Sequence, residues 1–135
     1  MSENGYVGLV IVSHSASLAQ GVAELVSQVA GADVAIEAVG GGPDDGLGTD
    51  GARVLEAMRR GSRGAGSVVL MDLGSSVLAV KAALGELQED ERDRIRVADA
   101  PLVEGAVAAG VIASTGEDAD GVLRAAEEAR NAGKL

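Results

Sequence analysis

Apolar residues along the chain fall into two alternating patterns. Short runs at Tyr6–Val12, Val34–Val39, Ser67–Met71 and the briefer Ile95–Ala98 read as four strands. Between them, Leu18, Val22, Leu25 and Val29 recur at intervals of four, three and four, and Val77, Val80, Leu84 and Leu87 at three, four and three. Each set marks one face of a helix. The first helix is predicted from near Ser17 to a stop at Gly31, and a second from about Gly51 to Arg60. Pro101 suits the first turn of another helix, narrowed by Ala106, Ala108, Ala109 and Gly110 so that it can approach a sheet closely. Ser114 with Glu117, or Thr115 with Asp118, has capping-box spacing and predicts a last helix through about Asn131; Gln88 to Arg94 reads as a polar surface connection.

Alternation of strand and helix predicts an α/β fold with an open, mainly parallel sheet of about four strands, order 2-1-3-4, and helices on both faces. The continuous apolar run of the third strand fits a sheet covered on both sides. The 135 residues suit a single domain spanning 1–135, with no linker. In the order 2-1-3-4, strands one and three are neighbours whose connections leave in opposite directions. The switch point between their carboxyl ends is where such sheets collect ligands, and it brings His14 and Asp72 face to face.

Composition narrows the function. Aromatic residues make up 1% of the chain, with no Trp or Phe, so the core is built from Val, Leu, Ile and Ala around Tyr6, and stacking on bases is disfavoured. A net charge of −10 repels a phosphate backbone, which argues against a nucleic-acid partner and for a basic protein partner. The absence of cysteine excludes disulfides and thiolate metal sites. Met1–Gly5 lacks the basic-then-apolar pattern of a leader, and the longest apolar runs fall well short of the roughly 20 residues that cross a bilayer. A cytoplasmic protein without a membrane partner is expected.

Candidate chemistry centres on His14, the sole histidine, set at the exit of strand one between Ser13 and Ser15. A carboxylate such as Asp72 would fix the ring tautomer and stabilise its cation, although Asp72 also has the position of an ordinary turn residue before Gly74. No Gly-x-Ser-x-Gly elbow and no Gly-x-x-x-x-Gly-Lys-Ser/Thr loop occurs, and one His without Cys leaves only carboxylates for a metal, so no metal is expected. What remains is covalent acceptance of a group by His14, for which phosphoryl suits best. Amides at the start of helix one, the hydroxyls of Ser13 and Ser15, and the backbone around Gly74, Ser75 and Ser76 could surround its oxygens. The glycine-rich segment Gly40–Gly51 reads either as a further cradle or as a plain connection. Thr49 is its best phosphate neighbour, unless Thr49 or Asp50 only caps helix two.

Four motifs in order, Val10-Ile11-Val12-Ser13-His14-Ser15, Gly48-Thr49-Asp50, Met71-Asp72-Leu73-Gly74-Ser75 and Ala100-Pro101-Leu102-Val103-Glu104-Gly105, resemble the DhaM family, the phosphocarrier subunits of phosphoenolpyruvate-dependent dihydroxyacetone kinases. More remotely, the chain is similar to mannose-type IIA domains of the sugar phosphotransferase system. The resemblance implies that HPr phosphorylates His14, that ADP on a DhaL subunit accepts the group, and that the ATP formed phosphorylates dihydroxyacetone on DhaK. It implies Asp72 as hydrogen-bonding partner, Thr49 and Ser75 near the phosphate, no cofactor on this subunit, and magnesium travelling with the nucleotide on DhaL. A homodimer is implied too. Some family members carry further phosphotransfer domains after this one; an end at Leu135 predicts reliance on separate HPr and enzyme I. The alternatives are a IIA domain serving a sugar permease and a non-catalytic regulatory or ligand-binding domain of the same fold.

Overall fold

The computed structural model describes residues 5–44 and 46–135; residues 1–4, part of the leader reading, and Asp45 of the glycine-rich segment lie outside the described residues. The apolar runs form strands β1 (Gly8–Ser13), β2 (Ile36–Gly40), β3 (Ser67–Met71) and β4 (Ile95–Val97). All neighbours pair in parallel and the order is β2-β1-β3-β4, as the sequence predicts. Val12 stands opposite both Val39 and Met71, so the carboxyl ends of the three adjacent strands finish nearly level. The helices are α1 (Ala16–Ala30), α2 (Gly51–Gly61), α3 (Ser75–Glu86), the short α4 (Glu89–Arg92), α5 (Leu102–Ala113) and α6 (Ala119–Glu128), followed by a 3-10 turn at Ala129–Asn131.

Strand periodicity divides the core. Leu9, Ile11, Val68 and Leu70 face one side, where α1, α5 and α6 bury Val26, Ala106, Ala109 and Val122 against them. Val10, Val12 and Val69 face the other, against Val54 and Met58 of α2 and Val80 and Ala83 of α3. With helices on both faces, each strand must be apolar on both sides, which is why the strands read as runs rather than alternations. A core without Phe or Trp is closed by bringing helices near. A Cβ on Gly110 of α5 would lie 2.7 Å from Val26 Cγ1, and one on Gly61 of α2 would lie 2.6 Å from Val10 Cγ2.

Three expectations need correction. In α1 the buried positions are Ala19, Val22, Val26 and Ala30, whereas Leu18, Leu25 and Val29 are exposed. The period is helical but its phase is rotated, because close packing against the sheet and α5 selects small and β-branched residues for the inner stripe. The last helix does not start at Ser114 or Thr115: their hydroxyls donate back to the carbonyls of Val111 and Ile112 at the end of α5. Asp118 caps α6 instead, accepting from the Gly121 amide at 2.9 Å. The 88–94 connection holds α4, whose entry is fixed by the Gln88 amide donating to Glu91 Oε1 at 2.9 Å. Among the described residues, no helix is long and apolar enough to cross a membrane.

Candidate active site

His14 and Asp72 meet because two adjacent strands end together. The Asp72 amide donates to the Val12 carbonyl at 3.1 Å, carrying the β1–β3 ladder past Met71 and holding the aspartate beside the end of β1. Its Oδ2 accepts from the Ser13 hydroxyl at 2.8 Å and the His14 amide at 3.1 Å, and lies 2.6 Å from His14 Nδ1. Oδ1 accepts from the Leu73 amide at 2.6 Å. The carboxylate is nearly enclosed, with 6% of its side chain exposed, while the imidazole in front of it keeps 32%. An ionised carboxylate can only accept, so the proton belongs on Nδ1 and the lone pair on Nε2.

Burial is the largest influence on Asp72 and pushes its pKa up. Hydrogen bonds from the Ser13 hydroxyl and from the amides of Leu73 and His14, together with the nearby Ser76 hydroxyl, outweigh it, and the carboxyl titrates at about 2 rather than the ordinary 3.8. The Ser76 hydroxyl is buried and has no partner of good hydrogen-bond geometry, but it stands near enough to the carboxylate to favour the charged form. A permanent anion therefore backs the ring through the neutral range.

The remaining predicted residues divide into two groups. Ser13 is fully buried; its hydroxyl donates to Asp72 and accepts from the Ser15 amide at 3.0 Å, so it braces the pair from behind rather than facing outward. Ser15 is the N-cap of α1, its Oγ accepting from the Leu18 amide at 3.2 Å. Gly74, at φ +57°, begins α3 without a side-chain cap, and Ser75 is its exposed first residue. The Thr49 hydroxyl donates to the Ser75 carbonyl at 3.4 Å, which ties the glycine-rich segment to α3. Asp50, not Thr49, caps α2, accepting from the amides of Ala52 and Arg53.

The glycine-rich segment is a fitted wall. Gly41 and Thr49 form a parallel bridge, and the Gly48 amide donates to the His14 carbonyl at 2.8 Å. A Cβ on Gly40 would sit 2.6 Å from the Ser15 carbonyl oxygen and 3.0 Å from that of Ser13. Sequence reasoning missed this use of Gly40; its signal was a strand running directly into three glycines. The two helices that begin beside the pair, α1 and α3, have neutral caps and no acidic residue in the first turn, although the chain carries a net charge of −10. Their positive dipole ends thus stay uncompensated around His14. Chemically, the arrangement offers one nucleophilic nitrogen, an orienting anion behind it and amides at its flanks.

Comparison with known proteins agrees with this layout. A family model described as the PTS system fructose IIA component, EIIA-man, matches residues 8–123. The phosphoryl donor subunit DhaM of the PEP-dependent dihydroxyacetone kinase of Escherichia coli is 41% identical over 120 residues, covering 87% of this chain and 25% of that protein. This chain therefore spans about a quarter of that relative's length. The DhaM subunit of dihydroxyacetone kinase 1 of Listeria innocua is 37% identical over 102 residues, covering 75% of this chain and 77% of its own. The crystal structure of a protein of unknown function superposes with a TM-score of 0.80 at 32% identity, covering 95% of both chains. The chain belongs to the EIIA-man family and, within it, to the DhaM phosphoryl donor subunits of PEP-dependent dihydroxyacetone kinases.

Proposed function

We propose that residues 1–135 form one IIA-like phosphocarrier unit in dihydroxyacetone phosphorylation, with His14 Nε2 as the acceptor. The observation that carries this reading is the 2.6 Å contact between His14 Nδ1 and Asp72, which leaves Nε2 as the nucleophile. In the first step the Nε2 lone pair attacks the phosphorus of phospho-HPr. A P–N bond forms on His14 as the P–N bond of the donor breaks, and its electron pair returns to the donor imidazole. Asp72 holds the Nδ1 proton and stabilises the positive ring. In the second step a β-phosphate oxygen of ADP on DhaL attacks the same phosphorus, the P–Nε2 bond breaks, and ATP forms for transfer to dihydroxyacetone on DhaK. Such transfers need positioning and charge stabilisation more than covalent machinery.

In this scheme the subunit uses no metal or cofactor of its own; ADP and magnesium reside on DhaL. It works in the cytoplasm as a homodimer. Ser15, Thr49, Gly74 and Ser75 neighbour the phosphate, and Ser13 acts through Asp72. The description of the family model as a fructose IIA component favours one second reading, a IIA domain feeding a sugar permease. Intact-mass measurement after incubation with phosphoenolpyruvate, enzyme I and HPr, followed by DhaL–ADP, separates the two. One acid-labile phosphoryl group that DhaL–ADP discharges as ATP supports the kinase relay. Labelling that DhaL–ADP leaves in place would transfer the assignment to the permease pathway.

A further inference from the structure

Among the described residues two buried side-chain hydroxyls have no hydrogen-bond partner, those of Ser67 and Ser76. Ser67 opens β3, at the end of the sheet away from the site. Ser76 lies at the other end, as the second residue of α3 and the fourth after Asp72, with none of its surface exposed. Alanine would fill such a place and is the better helix former, so an orphaned hydroxyl there costs stability that packing does not return. The Ser76 amide donates to the Leu73 carbonyl at 3.2 Å, which fixes the backbone against the turn that carries the aspartate, while Oγ keeps the freedom of one torsion. The carboxylate beside it is unevenly loaded. Oδ2 takes the Ser13 hydroxyl, the His14 amide and His14 Nδ1, whereas among the described residues Oδ1 takes the Leu73 amide alone. A carboxylate has about four acceptor sites, two on each oxygen, so Oδ1 has room for one more donor and Oδ2 has none.

We infer that Ser76 is a positioning residue held in reserve, its hydroxyl turning to donate to Asp72 Oδ1 when His14 takes the phosphoryl group; the inference rests on the phosphocarrier reading. As Nε2 commits its lone pair to phosphorus, the ring becomes a cation that keeps its Nδ1 proton. That proton pulls harder on Oδ2 and weakens the hold of the Ser13 hydroxyl and the His14 amide on the same oxygen. A fresh donor on Oδ1 makes good the loss and keeps the carboxylate anionic and in line with the ring. No proton leaves Ser76 or Nδ1, so the new P–Nε2 bond is the only covalent change on this chain. The hydroxyl is unbonded in the resting protein and bonded once the ring is charged. Such an interaction favours the transition state of charging and the phosphorylated form over the ground state, which is the condition for raising a rate rather than merely tightening a fold.

The test uses Ser76→Ala and Ser76→Cys, which fill the same space without an O–H. Charging is followed with phospho-HPr and with the small reagent phosphoramidate, together with the phosphorylated fraction at equilibrium with HPr and the rate of discharge to DhaL–ADP. The expected result is a fall of about tenfold in kcat with both donors, the effect of one hydrogen bond to a charged group, with KM for phospho-HPr unchanged. The equilibrium should shift by the same factor towards phospho-HPr. Discharge should stay within about twofold of the native rate, because the bond is then missing from the charged form and from the transition state alike. Charging and equilibrium that match the native protein would overturn the inference. Charging, discharge and melting temperature that fall together would overturn it too, by making Ser76 a packing residue. If neither donor labels the native chain, the phosphocarrier reading itself fails and this inference with it.

Discussion

Replacing Asp72 by Asn removes the charge that four hydrogen-bond donors converge on while keeping the side chain's size. The fall in the carboxyl pKa from 3.8 to about 2 corresponds to about 2 kcal/mol of folding stability. Since the folded group titrates below the unfolded one, that contribution is complete above the unfolded pKa and is lost as pH falls from 3.8 towards 2. The other carboxylates titrate in both proteins, so the difference between native and Asp72→Asn isolates this group. Urea unfolding followed by far-ultraviolet circular dichroism, at about pH 6 and about pH 2, should show the stability gap shrinking by about 2 kcal/mol in acid. A gap that stays constant would refute the hydrogen-bonded, low-pKa carboxylate described above. The same variant should lose at least about a hundredfold in phosphorylation rate, because an amide N–H facing Nδ1 drives the ring proton to Nε2 and removes the nucleophilic lone pair.

Three further substitutions separate the frame from the chemistry. Gly40→Ala forces a Cβ to within 2.8 Å of the Ser15 carbonyl carbon; thermal melting should show a loss of about 3 kcal/mol, with slower labelling of His14 because the clash bears on the residues flanking it. Asp50→Ala deletes the α2 cap and should lower stability by about 1 kcal/mol in urea titrations without changing the labelling rate of the folded protein. Leu70→Ala empties a fully buried position of β3 and should lower the unfolding free energy by about 2–5 kcal/mol, again leaving the rate per folded molecule intact.

The sheet was legible in the sequence because strands buried on both faces leave unbroken apolar runs, and the strand order by itself sets His14 opposite Asp72. Helix faces were less legible. In α1 the large residues Leu18, Leu25 and Val29 carry the same helical period as the buried Ala19, Val22, Val26 and Ala30, and hydrophobic size selects the wrong stripe when the core prefers small side chains. At the end of α5, Ser and Thr with capping-box spacing bond backwards to carbonyls, a choice local sequence cannot reveal. Within the site, Ser13 and Ser15 look alike in sequence, but strand alternation buries the first under Asp72 and helix entry turns the second into a cap. The role of Gly40 depends on a backbone 25 residues earlier in the chain, Ser15, and only the fold discloses that approach.

The most direct test of the account is the position of the phosphoryl group on the ring. Heteronuclear NMR of the phosphorylated, ¹⁵N-labelled protein reads the phosphorus coupling to each nitrogen of the single imidazole. The geometry predicts coupling at Nε2, with Nδ1 still protonated and hydrogen-bonded to Asp72, and no phosphohistidine signal in His14→Ala. Coupling at Nδ1, or a signal that persists in His14→Ala, would contradict it.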